Sequence, residues 1–156
     1  MADFPADSCA RHLVPLRLMI GSMSQKSLEF SSQSENLASV RAFVREFLEG
    51  EGIPVGEGEL LVLGVDEACS NIIRHAYRDA PAQPISLLCE RLGLTLRFRL
   101  RDFGAPADSV RFKRRALDEV EPGGLGLHLM ERVFDEVLYQ PQPLGTELVL
   151  VKRLGF

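Results

Sequence analysis

The stretch Leu60–Tyr77, LLVLGVDEACSNIIRHAY, constrains this chain more than any other. Wound as a helix at about 100° per residue, it separates into two faces. Val65, Cys69, Ile72, Ile73 and Ala76 fall within an apolar stripe roughly 100° wide. Glu67, Ser70, Asn71, Arg74 and Arg78 gather on the opposite side. Glu67 and Asn71 are one helical turn apart, so they stand one above the other on the polar face. A carboxylate and an amide oxygen stacked in this way can hold a divalent cation or a water against a substrate. The solvated outer face of any amphipathic helix has the same pattern, so the rest of the chain must separate the two.

At 156 residues the chain fits one domain with a real core. Acidic residues outnumber basic ones, 22 to 18, and the pI is near 5.4, which argues against direct nucleic-acid binding. No apolar run approaches the roughly 20 residues that span a bilayer, so no membrane segment is expected. The opening MADFPADSCARHLVPLRLMIGSM makes a poor signal peptide. Asp3 and Asp7 stand where basic residues belong, and Pro15 and Arg17 interrupt the apolar part. Met23 is an alternative start. The cysteines are Cys9, Cys69 and Cys89, without a C-x-x-C pair, which suits a reduced, cytoplasmic protein. Cys69 falls on the apolar face and is expected to be a buried small hydrophobe.

Residues 1–24 show no sustained periodicity and are expected to be a loosely ordered extension to a domain spanning 25–156. Ser27–Ser31 alternates like a short strand. Ser34 suits an N-cap for a helix through Glu49, with Leu37, Val40, Phe43 or Val44, and Phe47 inward. Ile85–Glu90 and Leu94–Arg101 read as a hairpin turning at Arg91, Leu92 and Gly93. Its second strand has one buried face and one basic face of Thr95, Arg97, Arg99 and Arg101. A third helix opens at GGLGLHLMERVF, with Leu125, Leu129 and Val133 inward. Two strands follow, about Glu136–Tyr139 and Glu147–Arg153, around a turn at Pro143–Gly145. This order predicts an α+β two-layer sandwich: a mixed four- to five-stranded sheet with three helices on one face.

Two glycine-bearing segments stand out downstream. Asp102-Phe103-Gly104 follows a strand directly; an Asp there can accept from an exocyclic amine, and the Gly lets a flat ring approach the backbone. Gly123-Gly124-Leu125-Gly126 opens a helix, where bare amides suit phosphate oxygens. Neither a Walker A motif nor a Rossmann fingerprint is present. The three histidines lack ligand-like spacing for a structural zinc, and no G-x-S-x-G elbow marks a hydrolase.

Together, in this order, the segments resemble the GHKL or Bergerat-fold ATPases, and within them the bacterial anti-sigma-factor serine/threonine kinases. The resemblance covers about Ser27–Arg153. DEACSNIIRHAY looks like the family's asparagine box, RDFG like its first glycine box, GGLGLHLM like its second, and GTELVLVKRL like its closing strand. The resemblance implies ATP and Mg2+ as cofactors. It makes Asn71 the magnesium ligand and Glu67 the general base. It gives Asp102 the adenine amino group, with support from Thr146, and lets Gly104 admit the ring. Gly124, Leu125 and Gly126 become the phosphate-binding turn, and residues 105–123 the ATP lid. It implies as partners a STAS-type anti-sigma-factor antagonist, phosphorylated on serine or threonine, and a sigma factor held away from RNA polymerase. It leaves a homodimer open through the first strand and helix, where Leu28 and Phe30 serve equally as core. Arg74 and His75, one turn beyond Asn71, read as surface polar groups or as phosphate contacts.

The chain departs from the family pattern at Pro106, where a second glycine is common, and at Pro122-Gly123, where some members carry a basic residue. Arg111, Lys113, Arg114 and Arg115 could substitute if the lid folds over. Two other functions therefore stand beside the kinase. One is a nucleotide-gated partner-binding regulator with negligible catalysis. The other is the detached catalytic domain of a histidine kinase.

Overall fold

The computed structural model describes residues 23–104 and 124–155. In chain order these form β1 (Met23–Ser31), a 3-10 turn (Ser34–Asn36), α1 (Leu37–Gly50) and α2 (Val55–Asn71). A single π turn (Ile72–Ala76) continues α2, and β2 (Pro84–Leu92), β3 (Thr95–Asp102), α3 (Gly124–Val133), β4 (Glu136–Pro141) and β5 (Thr146–Arg153) follow. The strands make one five-stranded sheet in the order β1-β2-β3-β5-β4. The α+β order and the three helices are as expected. The sheet is not mixed: all four pairings are antiparallel. Two of those pairings, β2–β3 and β4–β5, are hairpins, which are antiparallel by construction. The connection after β3 carries α3 past the neighbouring position to the sheet edge. The return strand β5 then pairs with β3.

Alternation along the strands sends Ile85, Leu87, Cys89, Leu96, Phe98, Leu100, Leu148 and Leu150 into one buried face. Against it α1 lays Val40, Val44, Phe47 and Leu48, and α2 lays Leu61, Val65, Ala68 and Cys69. Phe98 sits where the layers meet, with Phe47 and Phe134 rings edge-on at 6.4 and 5.8 Å between centroids. Among the described side chains of α3 the buried one is Met130, with Phe134 just after the helix; Leu129 and Val133, expected inward, are only half-buried. The contact therefore lies one residue further round the helix than the leucine spacing suggests. Gly64 of α2 makes room for Phe134: a Cβ there would come within 2.6 Å of Cε2.

Smaller differences have local causes. β1 begins at Met23, inside the expected extension, because all nine of its residues pair with β2. Ser34 opens a 3-10 turn and does not cap α1. Asn36 turns its amide back to Ser31 instead, donating to the carbonyl at 3.0 Å and to Oγ at 2.8 Å. The β2–β3 turn is Gly93-Leu94, since Leu92 pairs with Thr95 and Gly93 takes φ 63°. The expected lid with Pro106 and Pro122, the first 22 residues, and the Leu125 side chain lie outside the described residues. No helix among the described residues is long and apolar enough to cross a membrane.

The opposite face of the sheet is charged. Arg99 bonds Glu147 at 3.0 Å, Arg97 approaches Glu90 at 3.9 Å, and Arg153 pairs with Glu136. A concavity of about 460 Å³ opens there, lined by Arg97, Arg99, Glu136, Leu138 and Glu147 among others. Two of its arginines, Arg99 and Arg153, pair with its own carboxylates, Glu147 and Glu136, and none of the three motif segments lines it.

Candidate active site

Glu67 and Asn71 are placed by α2, whose C-terminal half carries them one turn apart. Asn71 is the last residue of the α-helix and is buried, 7% exposed, not on the outer face where the amphipathic pattern put it. On the helical wheel it stands beside Gly64 and Ala68, both buried as well. Glu67 remains half-buried. Beyond Asn71 the helix widens into the π turn, closed by Tyr77 N–H donating to the Ile72 carbonyl at 3.1 Å. Single π turns inside helices concentrate at functional sites. The turn carries Arg74, whose Nη2 donates to Glu67 Oε1 at 3.0 Å and to Asn71 Oδ1 at 3.1 Å. The two acceptors singled out in the sequence thus already share one cation.

Asp102 ends β3 and is 4% exposed; Thr146 begins β5 and is equally buried. Continuing the Arg101–Glu147 pairing sets the two opposite each other. Asp102 Oδ1 accepts the Gly104 N–H at 3.0 Å, and the Thr146 N–H also donates to the carboxylate. Burial pushes the Asp102 carboxyl above the usual aspartate value, and these two amide donors pull against it. Burial likewise raises the thiols of Cys69 and Cys89, the latter to about 12, so both are small apolar fillers as expected of Cys69.

The backbone locks these two segments together. A Cβ on Gly104 would meet the Ala76 carbonyl oxygen at 2.5 Å, so the turn after β3 rests directly on the end of the π turn. Tyr77 Oη accepts the Phe103 N–H at 2.8 Å and donates to the Pro84 carbonyl at 2.5 Å. Gly145, at φ +76°, lies against the Asp102 carbonyl and admits no side chain. Arg101 stacks on Phe103, 4.5 Å from the ring centroid, and donates to the Leu144 carbonyl at 2.5 Å. Sequence reasoning gave no role to Tyr77, placed Arg101 only on a basic strand face and Gly145 only in the turn before the closing strand, and left Arg74 between two options. The final Tyr of the asparagine box and the Gly before Thr146 were the available signals. We expect Tyr77→Phe to lower stability by about 1–2 kcal/mol, since it removes two part-buried hydrogen bonds; chemical denaturation measures this.

Gly124, Leu125 and Gly126 form the first turn of α3, where the sequence put them. Among the described residues no cluster of three or more His, Cys, Asp or Glu side chains could cage a metal. Magnesium, which is commonly held by one or two protein oxygens, waters and substrate phosphates, needs no such cluster. Asn71 Oδ1 is the buried neutral oxygen, and Glu67 the nearby carboxylate.

A family model described as the histidine kinase-like ATPase domain matches residues 30–152. The chain belongs to this family. The match spans the asparagine box, both glycine segments and the Gly145-Thr146 pair. Among relatives of the ATPase domain, the anti-sigma F factor of Halalkalibacterium halodurans is 29% identical over 84% of this chain and 93% of its own length. The serine-protein kinase RsbW of Bacillus subtilis is 28% identical over 82% of this chain and 84% of its own. The serine/threonine-protein kinase BtrW of Bordetella bronchiseptica is 32% identical over 60% and 68%. The crystal structure of the RsbU and RsbW domains of Rv1364c from Mycobacterium tuberculosis aligns with a TM-score of 0.62. It covers 84% of this chain and 32% of that one at 20% identity, and shows the shared fold.

Proposed function

We propose that the chain is an ATP- and magnesium-dependent serine/threonine protein kinase that acts as an anti-sigma factor in the cytoplasm. Its substrate would be a STAS-type antagonist protein, and its second partner a sigma factor. The observation that carries this is that Glu67 and buried Asn71 meet at Arg74 at the end of α2, whose π turn lies against the Gly104 turn that follows buried Asp102. A pure nucleotide binder has no need of a carboxylate at Glu67. The named activities of the relatives, anti-sigma factor and serine kinase, point the same way.

In this reading Asp102 accepts the adenine amino group, and Thr146 helps to fix its carboxylate. Asn71 offers Oδ1 to magnesium, which when bound neutralises phosphate oxygens as the γ-phosphoryl group transfers. Glu67 orients the attacking hydroxyl and takes its proton. The Gly124–Gly126 turn offers backbone amides to the phosphates. Residues 105–123 would close over the nucleotide. The nine-residue edge strand β1 is the surface through which a second copy would pair.

Calorimetric titration of ATP with and without magnesium, followed by phosphoryl transfer to a STAS-type protein, tests this. Magnesium-dependent binding and acid-stable phosphoserine or phosphothreonine support it. Binding without transfer to any such partner would favour the nucleotide-gated regulator, and acid-labile phosphohistidine the detached histidine kinase domain. No binding would sink the assignment of all three segments.

The pH dependence has a definite sign. Asp102 must be ionised to accept from adenine, and burial raises its carboxyl. Affinity for ATP should therefore fall on acidification while the pH is still above the ordinary aspartate range. Asp102→Asn should bind weakly and lose that pH dependence.

A further inference from the structure

Arg74 is tied to both residues at the centre of the proposed chemistry. One nitrogen, Nη2, lies 3.0 Å from Glu67 Oε1 and 3.1 Å from Asn71 Oδ1, one N–H for each. Nε reaches back to the Ser70 carbonyl at 3.3 Å and steadies the arm along the helix. An arginine on a helix projects towards the N-terminus, so its head meets acceptors one and two turns earlier. The π turn sets the angle at which it does so.

We propose that the Arg74 guanidinium stands in for magnesium. In the nucleotide-free protein it occupies the place between Glu67 and Asn71, and magnesium-ATP binding requires it to leave. This rests on the assignment of Asn71 as the magnesium ligand. Asn71 is more than nine-tenths buried, so its oxygen needs a donor or a metal when water is excluded. The guanidinium meets that need and also neutralises Glu67. A divalent cation on the same oxygen would face a guanidinium whose nitrogen lies 3.1 Å from that oxygen, and the two like charges repel each other. The Arg74 side chain is 40% exposed, so it can swing into solvent without leaving a void. The arm thereby sets how much magnesium the site needs and keeps Glu67 from acting as a base until nucleotide arrives.

The test is calorimetric titration of ATP into the full chain at a series of free magnesium concentrations, for wild type, Arg74→Met and Arg74→Lys. In Arg74→Met the magnesium giving half-maximal ATP affinity should fall by about twofold to fivefold, the range expected for removing a partly exposed ion pair. Its affinity at saturating magnesium should stay that of wild type. Arg74→Lys keeps the charge but loses the guanidinium fork, and should show a smaller shift in the same direction; it carries the test if the methionine variant does not fold. A loss of affinity at saturating magnesium with an unchanged threshold would make Arg74 a phosphate contact and overturn the proposal. Unchanged behaviour in both variants would make the contact incidental and overturn it equally. If wild type binds no ATP at any magnesium level, the nucleotide site itself is wrong and the proposal falls with it; the wild-type titration distinguishes that failure from the others.

Discussion

Glu67→Gln should bind magnesium-ATP as wild type does and lose between about a hundredfold and ten-thousandfold in phosphoryl transfer, the span attributed to a positioned general base. Glutamine has the same length, and its carbonyl can still accept from Arg74, so the end of α2 keeps its shape. What it loses is the ability to take a proton from the attacking hydroxyl. Calorimetry reports the binding and single-turnover transfer to the protein substrate reports the chemistry, so the two effects separate. Asn71→Ala should behave in the opposite sense. Removing Oδ1 takes away the proposed protein oxygen for magnesium, and magnesium-dependent binding should be abolished. Transfer at an unchanged rate in the Glu67 variant would show that the base lies elsewhere.

The contrast between these two residues also marks where sequence pattern stops being informative. Spacing alone put Glu67 and Asn71 one above the other, because the period of the helix is fixed by its backbone. It also put Asn71 on a solvated face, because the pattern knows only which side chains are apolar. The structure buries Asn71 at the border of the apolar stripe, where an unpaired oxygen would be costly and Arg74 donates to it. Elements set by local alternation were legible in the same way: the buried face of β3, the inward residues of α1, and the order of strands and helices. Features set by contacts distant in sequence were not. Whether β4 or β5 lies beside β3 depends on where the chain after β3 lands, and so did the choice between a mixed and an antiparallel sheet. The burial of Met130 and Phe134 in place of Leu129 depends on the room that Gly64 leaves in α2. Tyr77 was visible as a residue type, but its two hydrogen bonds join the helix end to segments that pair only in three dimensions.

Gly145→Ala should be the most damaging single methyl in the described part of the chain, lowering stability by about 2–5 kcal/mol. Two costs combine. The residue has φ +76°, which costs a residue with a Cβ roughly 1–2 kcal/mol. Its Cβ would also stand 2.1 Å from the Asp102 carbonyl oxygen, a contact that only movement of β3 can relieve, at about 1–3 kcal/mol. Gly104→Ala has an unexceptional φ but meets the Ala76 carbonyl at 2.5 Å, so it should cost only the second of these. Gly56→Ala, with nothing within 4 Å of its new carbon, should be neutral or gain up to about 1 kcal/mol. Thermal unfolding of the three variants gives the ranking directly, at roughly 2–4 °C per kcal/mol for a chain of this size. The ranking bears on function because Gly145 crowds the Asp102 carbonyl itself, and Gly104, pressed against the Ala76 carbonyl, donates its N–H to the Asp102 carboxylate. If the carboxylate is delivered to adenine by backbone packing, ATP affinity should fall in the order of the clashes, even below the unfolding transition. If Gly104→Ala unfolds earlier yet binds ATP normally, Asp102 is not held by that contact, and the adenine assignment would have to rest on Thr146 alone.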